Sequence, residues 1–181
     1  MYENNQLKLR RLKWLAILSL AIFLAACGGV PKVDWELSIS GDVSSPMSFT
    51  YQELAEMEMV DLSEVLMEKS RGEDEVRSFS GVPIDQLLET AGAPTDFSSI
   101  TAKAADGYAI EISRDEMVDG IVALKQTGEW ITDVDSDAGP IRLVFPETPA
   151  NRWVFQVTEI IVNPYSINQK EGTNEENPIF C

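Results

Sequence analysis

Apolar and polar residues alternate from Trp35 to Ile39, the period of a half-buried strand. Thr50-Tyr51-Gln52-Glu53 has the spacing of a capping box and predicts a helix carrying Leu54 and Met57. Val60–Met67 reads again as strand. Arg71-Gly72-Glu73-Asp74-Glu75 forms a turn, and Val76–Phe79 extends toward Gly81-Val82-Pro83-Ile84. Ile84, Leu87, Leu88 and Ala91 share one helical face, with Pro83 at its start and Gly92 at its close. Five more extended runs follow: Ile100–Ala104, Tyr108–Ile112, Ile121–Leu124, Ile141–Phe145 and Trp153–Val162. Asp106-Gly107 supplies a hairpin turn between the first two, and Ser113-Arg114-Asp115-Glu116 caps one further short helix. Strands and helices mixed without a regular βαβ alternation predict one α+β domain. No internal repeat interrupts it.

The N-terminus follows a different pattern. Lys8, Arg10, Arg11 and Lys13 precede Trp14–Ala26, an apolar run whose one polar member is Ser19. That is the charged and apolar layout of a secretory signal, shorter than the roughly 20 residues a membrane span needs. Its end, Leu24-Ala25-Ala26-Cys27, resembles the lipobox of bacterial lipoproteins, in which the cysteine is acylated and becomes the new N-terminus. The expectation is a signal peptide over residues 1–26, a lipidated linker over 27–34, and a domain tethered to the extracytoplasmic side of a membrane through Cys27. Two or three acyl chains, at about 0.8 kcal/mol per buried methylene, hold such a protein without a spanning helix. The bilayer is then its first partner.

Composition narrows the chemistry. The chain has 181 residues, 30 acidic against 14 basic, and no histidine. Without the signal segment 10 basic and 29 acidic residues remain, a net charge of −19. So acidic a surface disfavours nucleic acid, which needs a basic footprint. Lack of histidine excludes a Ser-His-Asp triad and histidine-ligated haem, and with two cysteines a zinc site goes too. With Cys27 acylated, Cys181 stands alone as a free or intermolecular thiol. Residues 164–181 are mostly polar without an apolar period and predict a disordered tail.

Several segments, in order, resemble the sulfite-oxidase-type molybdopterin-binding domain. They are Gly81-Val82-Pro83-Ile84 with Leu87-Leu88 and Gly92, then Ala105-Asp106-Gly107-Tyr108, then Gly139-Pro140-Ile141-Arg142-Leu143-Val144-Phe145-Pro146, then Trp153-Val154 with Ile160-Ile161-Val162. The resemblance covers about residues 35–163 and implies a single mixed, mostly antiparallel sheet with short helices, whose loops cradle a pterin-bound molybdenum. It implies cofactor contacts at Arg152, Trp153, Arg142, Asp106, Tyr108 and Arg114. In the family's enzymes a cysteine shortly before the region aligning with Arg71–Gly81 ligates the metal, yet Val60–Ser80 holds none. No residue is therefore assigned to catalysis or to a metal. The expected function is a binding or interaction module; the alternatives are a redox protein that keeps the pterin without the thiolate and a carrier of a small ligand.

Two further patterns read as plain structure. Asp133-Val134-Asp135-Ser136-Asp137 alternates carboxylates as a calcium loop does, but Ala138 and Val144 stand where that loop requires glycine and glutamate. Asp106 near Tyr108 and Glu111 could serve acid–base chemistry in a cleft, although an aspartate before glycine more commonly fixes a turn.

Overall fold

The computed structural model describes residues 29–69 and 71–165. The expected signal peptide, Cys27 and nearly all of the expected tail lie outside them. The described residues from Lys32 to Tyr165 form one compact unit; the other unit, Met1–Pro31, is almost wholly outside the described residues. Among the described residues no helix is long and apolar enough to cross a membrane.

The chain runs through β1 (Glu36–Gly41), β2 (Met47–Thr50), α1 (Tyr51–Glu56), β3 (Val60–Met67), β4 (Glu75–Pro83) and α2 (Ile84–Thr90). It continues through β5 (Ser99–Ala104), β6 (Ala109–Ser113), a 3-10 turn (Arg114–Met117), β7 (Ile121–Gln126), β8 (Glu129–Trp130) and α3 (Ile131–Val134). Last come β9 (Arg142–Val144), a second 3-10 turn (Ala150–Arg152), β10 (Val154–Phe155) and β11 (Val157–Asn163). The α+β class holds. The strands divide between two sheets rather than forming the expected single one: β2-β1-β11-β5-β6, and β10-β9-β7-β4-β3 with β8 beside β7. The pairing is antiparallel throughout except for β1 with β11.

The local signals act as read. Thr50 Oγ1 accepts from the Glu53 amide while the Glu53 carboxylate accepts from the Thr50 amide at 2.8 Å, closing the capping box that starts α1. The same reciprocal pair joins Ser113 and Glu116, though the turn it starts is 3-10. α2 buries Ile84, Leu87 and Leu88 and ends at Gly92, whose φ of +72° suits glycine. Leu37, Ile39, Ile100 and Ile160 of the first sheet share one apolar core with Phe79, Val82, Val122 and Leu143 of the second.

One extended run is misread. Trp153–Val162 is not a single strand: Val154–Phe155 pairs with β9 in one sheet, whereas Val157–Asn163 crosses to the other, between β1 and β5. The crossing is at Gln156, whose φ is +50°. Val154 and Val157 are both buried, so the apolar pattern runs on across a break that no glycine or proline marks.

Candidate functional site

The end of β3 lies against the turn that precedes β10, because the Ala150 amide donates to the Glu68 carbonyl at 3.1 Å. Between them is a cavity of about 340 Å³ lined by Met67, Lys69, Arg71, Ala150, Asn151 and Phe155. Among the described residues no carboxylate lines it. Lys69 and Arg77 both pair with Glu75, and hydrogen bonds from these two cations hold the Glu75 carboxyl below its ordinary range. Arg71 has no ion-pair partner among the described residues.

Phe155 links this cavity to a buried cation. Arg142 is its register partner on β9, and the guanidinium lies 4.3 Å from the Phe155 ring centroid and 5.6 Å from that of Phe79. Arg142 is 1% exposed. Its Nη2 donates to Asp135 Oδ2 at 3.3 Å, while Nε and Nη1 have no hydrogen-bond partner among the described residues. Burial pulls its pKa down to about 10, the Asp135 charge opposes this, and the nearby Arg77 charge adds to it. Trp153 stands edge-on to Phe79 at 5.5 Å and donates from Nε1 to the Phe145 carbonyl at 3.0 Å. Arg142 and Trp153, both expected at a cofactor, thus meet around Phe79 inside the protein.

The other expected contacts lie elsewhere. Arg152 grips Glu116 with two nitrogens, at 2.7 and 2.9 Å, and also donates to the Glu111 carbonyl. Chiefly through those Arg152 hydrogen bonds, the Glu116 carboxyl falls to about 2. Arg114 pairs with Asp85 at 2.8 Å and lies over the Phe97 ring, lining a different cavity. Asp106 accepts from the Tyr108 amide at 2.8 Å, which fixes the β5–β6 turn, and both side chains face solvent. None of these four lines the cavity beside β3. A third cavity, of about 450 Å³, has Asp61, Asp85, Asp119 and Glu147 and no Lys or Arg among the described residues that line it, a charge that disfavours anions. Asp135 is spent on Arg142 and on capping the Ala138 amide, so the alternating aspartates do not converge as calcium ligands. Among the described residues no three His, Cys, Asp or Glu side chains cluster as metal ligands.

Lys69, Arg71, Asn151 and Phe155 escaped the sequence reading. A signal was present: Lys69 and Arg71 are two bases within three residues of a strongly acidic chain, directly after a strand. They also lie in the stretch where the resemblance places the metal-ligating cysteine. The cavity has cations and an amide that suit a phosphate, but no thiolate stands at Met67 or Lys69 or anywhere else between Val60 and Ser80. These residues do not fit a molybdenum ligated as in the family's enzymes.

Comparison with solved structures finds the sulfane dehydrogenase SoxCD from Paracoccus pantotrophus, with a TM-score of 0.65 and 21% sequence identity. The alignment covers 80% of this chain and 43% of that one, so the likeness is one of fold over less than half of the larger protein. No curated protein matches. The family model described as the oxidoreductase molybdopterin binding domain matches residues 27–169, and the chain belongs to that family.

Proposed function

We propose that this chain is a lipid-anchored extracytoplasmic binding module, built on a sulfite-oxidase-type fold that works without molybdenum. The observation that carries the reading is the combination of a cysteine-free Val60–Ser80 with cavity walls made of Lys69, Arg71 and Asn151. Those side chains can hold an anion by charge and hydrogen bonds, but they offer a metal no thiolate. Arg114 and Arg152, the other expected anchors for a pterin phosphate, are tied to Asp85 and Glu116. Lipid attachment rests on Leu24-Ala25-Ala26-Cys27 after the apolar run. Anchoring would keep the domain at the membrane face while its cavity samples the surrounding solution.

The second reading, a redox protein that retains the pterin, has the same two bases in its favour. Metal analysis decides between the two, together with pterin fluorescence after oxidative release, on full-length protein purified from a host that makes the cofactor. Substoichiometric molybdenum and no released pterin are expected, along with no sulfite-dependent reduction of an electron acceptor. Stoichiometric molybdenum or pterin would overturn the proposal.

A further inference from the structure

Of the nine Lys and Arg among the described residues, four gather beside one cavity. Lys69 and Arg71 line it, Arg77 shares Glu75 with Lys69, and Arg142 lies over the cavity's own Phe155. Two acids of the same loop are turned to other tasks, since Asp74 accepts from the Lys69 amide at 2.9 Å and Glu75 joins Lys69 to Arg77, while Glu73 is exposed and is not among the residues that line the cavity. Phe155 is 40% exposed although its ring packs on a buried cation, so part of its apolar surface is left open to the cavity. Met67 adds a pliable apolar wall, and Asn151 brings both a donor and an acceptor.

We infer that this cavity binds a small organic anion, a carboxylate or phosphate carried on a flat unsaturated body, with no metal involved. This deepens the proposed function and rests on it. Arg71, which has no ion-pair partner among the described residues, contacts the anionic group with its planar fork of donors, and Lys69 turns part of its charge from Glu75 to the ligand. The flat body lies on Phe155, whose ring is held in place by the Arg142 guanidinium behind it. A cavity of about 340 Å³ suits a molecule of one or two rings, at the lower end of ordinary ligand sites.

The test is calorimetric titration of the full-length protein in detergent with phenyl phosphate and benzoate, with benzyl alcohol and benzamidine as uncharged and cationic counterparts. Phenyl phosphate or benzoate should bind with Kd on the order of 0.1–1 mM, and the tighter of the two identifies the anionic group. The counterparts should give no heat. Arg71→Gln should weaken binding about tenfold, Lys69→Gln less, and Phe155→Leu several-fold, from the loss of a charge-assisted contact or a stacking face. Arg71→Lys should restore part of the loss, and Lys103→Gln, a base of the other sheet, should change nothing. Arg71 is exposed, so its variants keep the wild-type melting temperature. Absence of anion binding, or equal binding in Arg71→Gln, would overturn the inference while leaving the metal-free module intact. Molybdenum or pterin in the purified protein would instead remove the reading beneath it.

Discussion

Replacing Arg142 by methionine should make the domain more stable. The charge is 1% exposed, and among the described residues two of its three nitrogens lack hydrogen-bond partners and its one acidic contact is a single 3.3 Å bond to Asp135. Burial pulls its pKa well below the ordinary guanidinium value, to about 10, and one pH unit corresponds to about 1.36 kcal/mol. The charged form therefore costs the fold about 3 kcal/mol relative to water. Methionine fills a similar volume, places sulfur between Phe79 and Phe155 where such contacts are favourable, and needs no hydration. Asp135, 36% exposed at its side chain, keeps water and its bond from the Ala138 amide. Part of the gain is offset by the lost Asp135 pair and the lost cation–ring contacts. The net is a stabilisation of about 1–2 kcal/mol, or roughly 3–6 °C in a domain of this size.

The complementary change has the opposite sign. Asp135→Asn keeps the loop hydrogen bond but leaves the buried guanidinium without a counter-charge, which should cost about 1–3 kcal/mol. In the Arg142→Met background it should cost almost nothing, so a double-mutant cycle isolates the coupling. Thermal and urea unfolding of the four proteins, followed by circular dichroism, measure all the terms. If Arg142→Met lowers the melting temperature by more than about 4 °C, or if Asp135→Asn costs the same in both backgrounds, the reasoning fails and Arg142 is a structural clasp. If it holds, the fold keeps a costly cation behind Phe155, which makes sense when the cavity in front of that ring takes anions.

Gly81→Ala should destabilise by several kcal/mol or prevent folding, since its Cβ would stand 2.1 Å from the Val122 carbonyl oxygen and 2.6 Å from Ala123 Cα; soluble expression and melting temperature check this. Glu116 has a depressed carboxyl pKa, so the stability from its pairing with Arg152 is complete above about pH 4.5 and is lost as pH falls toward about 2. At partly exposed side chains this amounts to about 1–2 kcal/mol, and Arg152→Met should remove that share of the acid dependence in urea melts taken from pH 6 to pH 2.5. Cys27→Ser should leave an unprocessed precursor, whereas the wild-type N-terminal peptide should begin at an acylated Cys27 by mass spectrometry; a wild-type peptide beginning at Met1 would refute the anchor.

How far the sequence led depends on whether each signal was local. The Thr50–Glu53 and Ser113–Glu116 boxes, the Asp106-Gly107 turn and the Gly81–Gly92 helix were legible because their stabilising contacts lie within a few residues. The passage from β10 to β11 was not, because burial on both sides of Gln156 preserves the apolar pattern through a change of sheet. Arg142 could be named in advance, but its surroundings could not. Its counter-ion Asp135 is seven residues away in a stretch that reads as plain structure, whereas Phe79 and Phe155 reach it only through strand pairing. The cavity itself needed contact between Glu68 and Ala150, residues far apart in sequence, before Lys69 and Arg71 could be seen as one wall and Asn151 and Phe155 as another. A family motif locates the residues that a shared fold must hold. Here the cysteine-free stretch from Val60 to Ser80 was legible at once, and Lys69 and Arg71 became meaningful when folding set them around a cavity with Phe155.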